Sequence, residues 1–138
     1  MNIFTKVVLS LSGLALFYAC YLRLIQPDKA VFLQSYFEHP GNSLKAHIDL
    51  ANEIRGVGAV MLLGGIVILI GTVRADFRLA SLVVATVIFG GVVLGRSLSL
   101  FIDGPPSGPL MRAAVAEGVL AALNIFCLIR VLMQGQES

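Results

Sequence analysis

Long apolar runs alternate with short polar segments along the whole chain. The runs cover about residues 3–25, 52–73, 79–102 and 110–133, and they contain few charged side chains. A helix needs about 20 predominantly apolar residues to cross the hydrocarbon core of a bilayer, so each run is long enough to span it. The pattern predicts an all-α fold, an integral membrane four-helix transmembrane bundle that forms a single membrane domain over residues 1–138.

The composition excludes most other classes of protein. Of the 138 residues, 57% are hydrophobic and 13% are charged, whereas soluble domains carry about 25% charged residues. The net charge is only +2 and the basic residues form no stripe, so we expect no nucleic-acid partner. Cys20 and Cys127 are far apart and belong to no Cys-x-x-Cys pair, which argues against thiol redox chemistry.

The polar segments between the runs predict how the chain is oriented. Residues 74–78 contain two arginines, and residues 103–109 contain none. Because lysine and arginine concentrate in cytoplasmic loops, the 74–78 loop and both termini are predicted to be cytoplasmic. The first loop, residues 26–51, is then extracytoplasmic, although Lys29 and Lys45 within it oppose this orientation.

The predicted topology brings five charged residues of the apolar runs toward the outer leaflet: Arg23, Glu53, Arg55, Arg96 and Glu117. A charge inside a bilayer costs about 2.5–3.5 kcal/mol unless it is compensated. The short loop between the third and fourth runs favours pairing of Arg96 with Glu117, and Glu53 is expected to complete this ionic core. Asn124 follows Glu117 at helical spacing, so it extends the polar surface inward.

Three interpretations of these polar residues remain open. The first is an ion-pair network that only fixes how the helices dock. The second is a site, formed by the five charged residues and Asn124, that binds a lipid-like small molecule, with Arg55 and Arg23 in contact with its headgroup. The third is a proton-linked path through Glu117 and Asn124 in a small transporter.

Signals of catalysis are weak. The sequence contains no catalytic-triad signature, phosphate loop, haem motif or metal-ligand spacing, and we interpret His39 and His47 as solvated loop residues. A lipid-modifying membrane enzyme with Glu53 or Glu117 as general base is the enzymatic alternative. We therefore expect no catalytic residue, no cofactor and no metal ion, and we expect membrane lipids as partners.

Small residues recur at every fourth position on two predicted helices, as Gly91-x-x-x-Gly95-x-x-x-Ser99 and Ala114-x-x-x-Gly118-x-x-x-Ala122. Such stripes let helix backbones approach closely. We expect them to pack helices together within one chain. A homo-oligomer, or contact with another membrane subunit, is the alternative.

Two motifs resemble a known family. Residues 52–56 read Asn-Glu-Ile-Arg-Gly, residues 95–104 contain Gly-Arg-x-x-Ser followed by Asp-Gly, and Glu117 lies in the last run. They resemble a family of small bacterial four-helix membrane proteins known only as a domain of unknown function. The resemblance covers about residues 9–132 and implies a bacterial inner-membrane location but no activity. The motif positions that it carries over are Glu53, Arg55, Gly56, Arg96, Asp103 and Glu117. Structural roles are expected for Gly56, Gly95, Asp103 and Gly104.

Overall fold

A computed structural model describes residues 2–30, 33 and 48–135 of the chain. Within these residues every regular element is helical, and the four long helices are α1 (Ile3–Leu24), α2 (Ile48–Val73), α3 (Arg78–Ile102) and α4 (Gly108–Gly135). Each is long and apolar enough to cross a membrane. The predicted fold class, a transmembrane four-helix bundle, is thereby confirmed. His39 and His47, with most of the first loop, lie outside the described residues.

Local sequence signals mark where the helices begin. The Asn2 side chain accepts a hydrogen bond of 3.1 Å from the Phe4 backbone N–H and so caps the start of α1. The second helix begins at Ile48, before the apolar run that predicts it, and Asp49 in its first turn suits the positive end of the helix dipole. Pro109 lies in the first turn of α4, where a missing N–H costs no hydrogen bond.

The helices pack in chain order. The first helix packs against α2 along much of its length, α2 against α3 and α3 against α4, whereas α4 touches α1 at only a few points. Because the connections at residues 74–77 and 103–107 are short, α2, α3 and α4 alternate in direction. We call the end of the bundle where α1 and α3 end, and α2 and α4 begin, the Gly104 end.

Close helix contacts lie at glycines of α2. A side chain at Gly58 would meet the Cβ of Arg23 at 2.9 Å. One at Gly71 would overlap Ser81, whose hydroxyl donates a hydrogen bond of 2.7 Å to the Val67 carbonyl. The absence of side chains at these glycines therefore allows α1 and α3 to approach α2 closely, which is how helices gain van der Waals contact in a bilayer.

The predicted small-residue stripes of α3 and α4 do not make such contacts. At Gly91, Gly95 and Gly118, no neighbouring atom of the residues that the structure describes lies within 4 Å of the position a Cβ would take. Gly91, Gly95 and Ser99 are exposed. The prediction that these stripes pack helices within the chain is therefore wrong. Small residues carry no penalty on a lipid-facing surface, so their spacing alone does not identify a helix contact.

Polar side chains hold α4 to α1 in the interior. The Asn124 Nδ2 group donates a hydrogen bond of 2.7 Å to the Ser12 hydroxyl, and both residues are fully buried. Farther from the Gly104 end, Thr5 of α1 and Cys127 of α4 are buried polar side chains that interact electrostatically. Interhelical hydrogen bonds of this kind contribute about 0.6 kcal/mol on average in membrane proteins. The Asn124–Ser12 bond is thus a specific contact between α1 and α4, which otherwise touch at few points.

A glycine at a helix contact, Gly71, and an exposed glycine, Gly91, allow a direct test of the packing. We expect Gly71→Ala to lower the free energy of unfolding by about 1–3 kcal/mol, because the new methyl group displaces Ser81. The control Gly91→Ala should leave stability unchanged or raise it by up to about 1 kcal/mol through helix propensity. Thermal unfolding in detergent micelles, followed by circular dichroism, measures both. Equal midpoints for the two variants would contradict the packing described here.

Candidate functional site

A two-contact ion pair joins α3 to α4 near the Gly104 end. The Arg96 Nη2 group donates a hydrogen bond of 3.0 Å to Glu117 Oε1, and Arg96 Nε lies 2.5 Å from Glu117 Oε2. The two side chains are 26% and 23% exposed. The pairing predicted from the sequence is confirmed. A planar guanidinium that meets both carboxylate oxygens fixes distance and orientation together, so the pair sets how α3 and α4 align.

The turn that follows α3 places the two partners opposite each other. Asp103 ends the helix: its backbone N–H donates a hydrogen bond of 2.7 Å to the Ser99 carbonyl, and its carboxylate accepts one of 2.8 Å from the Ser99 hydroxyl. Gly104 follows with a φ of +95°, a conformation that residues with a side chain rarely adopt. Asp103 and Gly104 thus form the turn between α3 and α4. No contact with another described residue explains Gly56 or Gly95.

Arg23 adds a second positive charge from α1. It is partly buried although it lies one residue from the end of its helix. Its Nη1 group donates a hydrogen bond of 3.1 Å to the Ala19 carbonyl, one turn back toward the bundle interior. It also interacts electrostatically with Glu117 and Arg96. The structure therefore brings together three of the predicted site residues, each from a different helix.

A cavity of about 210 Å³ lies beside these three charges, between α1 and α4. Its wall is mostly apolar, and Leu16, Phe89 and Leu120 line it toward the interior. The hydroxyl-bearing Tyr18 lines it as well. A second cavity of about 150 Å³ lies between α3 and α4 and shares Arg96 in its wall. Polar groups that converge on one side of an apolar cavity are the usual arrangement of a small-molecule site.

Five alanines line the larger cavity, and sequence reasoning missed them: Ala15, Ala19, Ala30, Ala113 and Ala116. Ala15 and Ala19 are one helical turn apart on α1, and Ala113 and Ala116 are spaced similarly on α4. The helical spacing of these small residues on two facing helices is the signal that could have located the cavity.

Glu53 and Arg55 do not join the cluster, which corrects the predicted ionic core. Both side chains are exposed, neither lines the cavity, and Glu53 forms no ion pair with any described residue. The reason is helical geometry. They flank Ile54, which is buried, and successive residues of a helix point about 100° apart. Glu53 therefore projects to one side of the buried face of α2, and Arg55 projects to the other side.

Asn124 also lies outside the cavity. Its amide Nδ2 donates to the Ser12 hydroxyl and, at 2.8 Å, to the Leu120 carbonyl. Its Oδ1 atom is buried without a hydrogen-bond partner among the described residues. The predicted polar stripe from Glu117 to Asn124 is interrupted, because Leu120 lines the cavity between them and Asn124 instead links α4 to α1.

These features define a membrane-type four-helix bundle with an ionic cluster beside an apolar cavity at one end. The chain belongs to the DUF4345 family, a domain of unknown function, and the match to the family covers residues 4–128. No curated protein and no solved structure is significantly similar to the chain.

The ion pair can be tested by removing its charges singly and together. We expect Arg96→Met to lower the free energy of unfolding by about 3 kcal/mol, because the charged Glu117 loses its hydrogen-bonded partner in largely apolar surroundings. The double variant Arg96→Met/Glu117→Met should regain most of this loss. Denaturation in mixed detergent and SDS micelles measures the difference.

The exposed Arg112 of α4 supplies the matched control for that experiment. Arg112→Met removes the same charge from the same end of the bundle and should change stability little. If the double variant is as unstable as Arg96→Met alone, the two charges do not compensate each other and the ion pair is not what aligns α3 with α4.

Proposed function

We propose that this protein binds a lipid-like molecule in the cavity between α1 and α4. The headgroup lies against Arg23, Arg96 and Glu117, and the apolar chain lies along Leu16, Phe89 and the neighbouring alanines. One observation carries the proposal: ionic groups from three helices line one side of a cavity whose remaining wall is apolar.

The N–H groups of Arg96 that Glu117 does not use favour a ligand-binding role for the ion pair over a role in helix docking alone. A guanidinium has five N–H groups, and Glu117 accepts from Nη2 and lies beside Nε. The other N–H groups of Arg96 are thus left for additional acceptors. An ion pair with a purely docking role would be enclosed by close packing, since a gap beside it loses van der Waals contact. Here α4 touches α1 lightly and a cavity lies between them.

We also propose an orientation for the site. The two arginines of residues 74–78 lie at the opposite end of the bundle from Gly104, and positively charged short loops favour the cytoplasm. With both termini cytoplasmic, the Gly104 end faces the outer leaflet of a bacterial inner membrane. A molecule from that leaflet then enters between α1 and α4 without crossing the bilayer.

Filling the cavity tests the proposal directly. We expect Ala113→Phe to reduce the amount of lipid that copurifies with the full chain, because the ring occupies the space of the ligand chain. Ala122→Phe is the matched control: Ala122 lies on the same helix, is exposed and does not line the cavity. Native mass spectrometry in detergent gives the bound lipid per protein.

Thermal unfolding of both variants accompanies this measurement, so that loss of fold is distinguished from loss of ligand. If Ala113→Phe is folded and retains as much lipid as Ala122→Phe and the unmodified chain, the cavity is not a lipid site and the proposed function is wrong.

A further inference from the structure

The second cavity, between α3 and α4, adjoins the proposed lipid site. Arg96 and Leu110 line both cavities. The larger cavity extends from Arg96 toward the bundle interior, where Phe89 lines it. The second cavity, of about 150 Å³, extends the other way, and most of its wall lies on the Gly104 side of Arg96: Ser97, Ser99, Leu100 and Pro106. The two cavities therefore meet at Arg96 and point in opposite directions along the bundle.

The depth of the second cavity suits the headgroup of a lipid. Leu100 is one turn of α3 beyond Arg96, about 6 Å along the helix axis, and Pro106 belongs to the turn at the end of the bundle. A lipid whose chain lies in the larger cavity has its polar end at Arg96. Whatever is attached to that polar end, farther from the chain, then falls beside the second cavity.

Two residues of the second cavity have opposite hydrogen-bonding capacities. The Ser99 hydroxyl donates its single proton to the Asp103 carboxylate at 2.8 Å, so the Ser99 oxygen can only accept a further hydrogen bond. The Arg96 guanidinium can only donate, and it contacts Glu117 through Nη2 and Nε alone of its nitrogen atoms. A headgroup that bonds to both residues must therefore accept a proton at Arg96 and donate one at Ser99.

A hydroxyl group meets both requirements, because it donates one hydrogen bond and accepts others. An ionised phosphate only accepts, an ammonium group only donates, and a quaternary ammonium group does neither. The rest of the wall is largely apolar, with Leu100, Pro106 and Met111 among its residues, and it suits the carbon atoms of a small polyol. Glycerol and sugar headgroups have this combination of hydroxyl groups and carbon atoms.

We propose that the second cavity binds a hydroxyl-bearing headgroup, the glycerol of a phospholipid or the sugar of a glycolipid, and so determines which lipid the protein selects. Its hydroxyl groups accept from Arg96 and donate to Ser99. This inference rests on the proposed function and adds the chemical class of the headgroup. The two sources share the same hydroxyl chemistry, and the experiment below separates them.

The test is a competition between matched lipids for the full chain in detergent, read by native mass spectrometry. Phosphatidylglycerol competes with phosphatidylpropanol, which has the same charge and headgroup carbons but no hydroxyl. Glucosyl diacylglycerol competes with the methyl ether of diacylglycerol, which has no sugar and no free hydroxyl. We expect the hydroxyl-bearing lipid to be preferred by about fivefold in at least one pair, the ratio given by one net hydrogen bond. The pair that shows the preference assigns the source.

Two variants locate the selectivity in the second cavity. Ser99→Ala removes the acceptor and should reduce the preference to about onefold. Ser107→Ala is its control, because Ser107 is an exposed hydroxyl of the same turn that does not line either cavity, and it should retain the preference. Ala114→Leu fills the second cavity and should also abolish the preference, whereas Ala122→Leu, outside both cavities, should not. The competition on the unmodified chain tests the proposal even if Ser99→Ala does not fold.

The outcomes separate this inference from the proposed function. If Ala113→Phe releases bound lipid but both members of each pair bind equally to the unmodified chain, the lipid site stands and the headgroup site is wrong. A loss of preference in Ser107→Ala as large as in Ser99→Ala also overturns the headgroup site. If Ala113→Phe retains as much lipid as its control Ala122→Phe, the proposed function itself is wrong.

Discussion

The ion pair between Arg96 and Glu117 is the interaction on which the arrangement of the bundle depends. Each charge alone costs about 2.5–3.5 kcal/mol in a bilayer, so the two residues must meet wherever the helices pack. They meet with two contacts, at 2.5 and 3.0 Å, because the Asp103–Gly104 turn reverses the chain at the required length. The register of α3 against α4 follows from this electrostatic requirement and from the positive φ of Gly104 in the turn between them.

The rest of the bundle is packed unevenly, and this unevenness creates the site. Glycines of α2 let α1 and α3 pack closely against α2, so α1, α2 and α3 form a tight unit. The fourth helix packs against α3 and is also joined to it by the ion pair, whereas it touches α1 at few points, among them the Asn124–Ser12 hydrogen bond. Polar contacts fix its position without filling the space between α1 and α4. A cavity lined by alanines is the result.

Much of this arrangement could be predicted from the sequence. The four helices follow from the length of the apolar runs, and the Arg96–Glu117 pair follows from a short loop and matching depth. The face that each helix turns toward the bundle interior could not be predicted. Because α2 is apolar on all sides, its pattern does not show that Ile54 faces inward and that Glu53 and Arg55 face outward. The outward-facing stripe of Gly91 and Gly95 has a different cause: small residues are also tolerated on an exposed helix face, so their spacing alone does not identify a helix contact.

The cavity itself was not predicted from the sequence, because it depends on where side chains are small rather than on where polar or charged side chains are present. Ala113 and Ala19 have no chemistry of their own, and their importance appears only when α1 and α4 are placed side by side. Gly58 is similar: its role is to leave space for Arg23, a contact between residues 35 positions apart in the chain.

The most direct test of the central claim is a high-resolution structure of the full chain in lipid nanodiscs, determined by electron cryomicroscopy with a bound antibody fragment. If a lipid occupies the cavity, we expect an elongated density between α1 and α4 that ends within hydrogen-bond distance of Arg23 or Arg96, with Arg96 and Glu117 still paired. A bundle in which the side chains of α1 and α4 close the cavity, with no density between them, would contradict it.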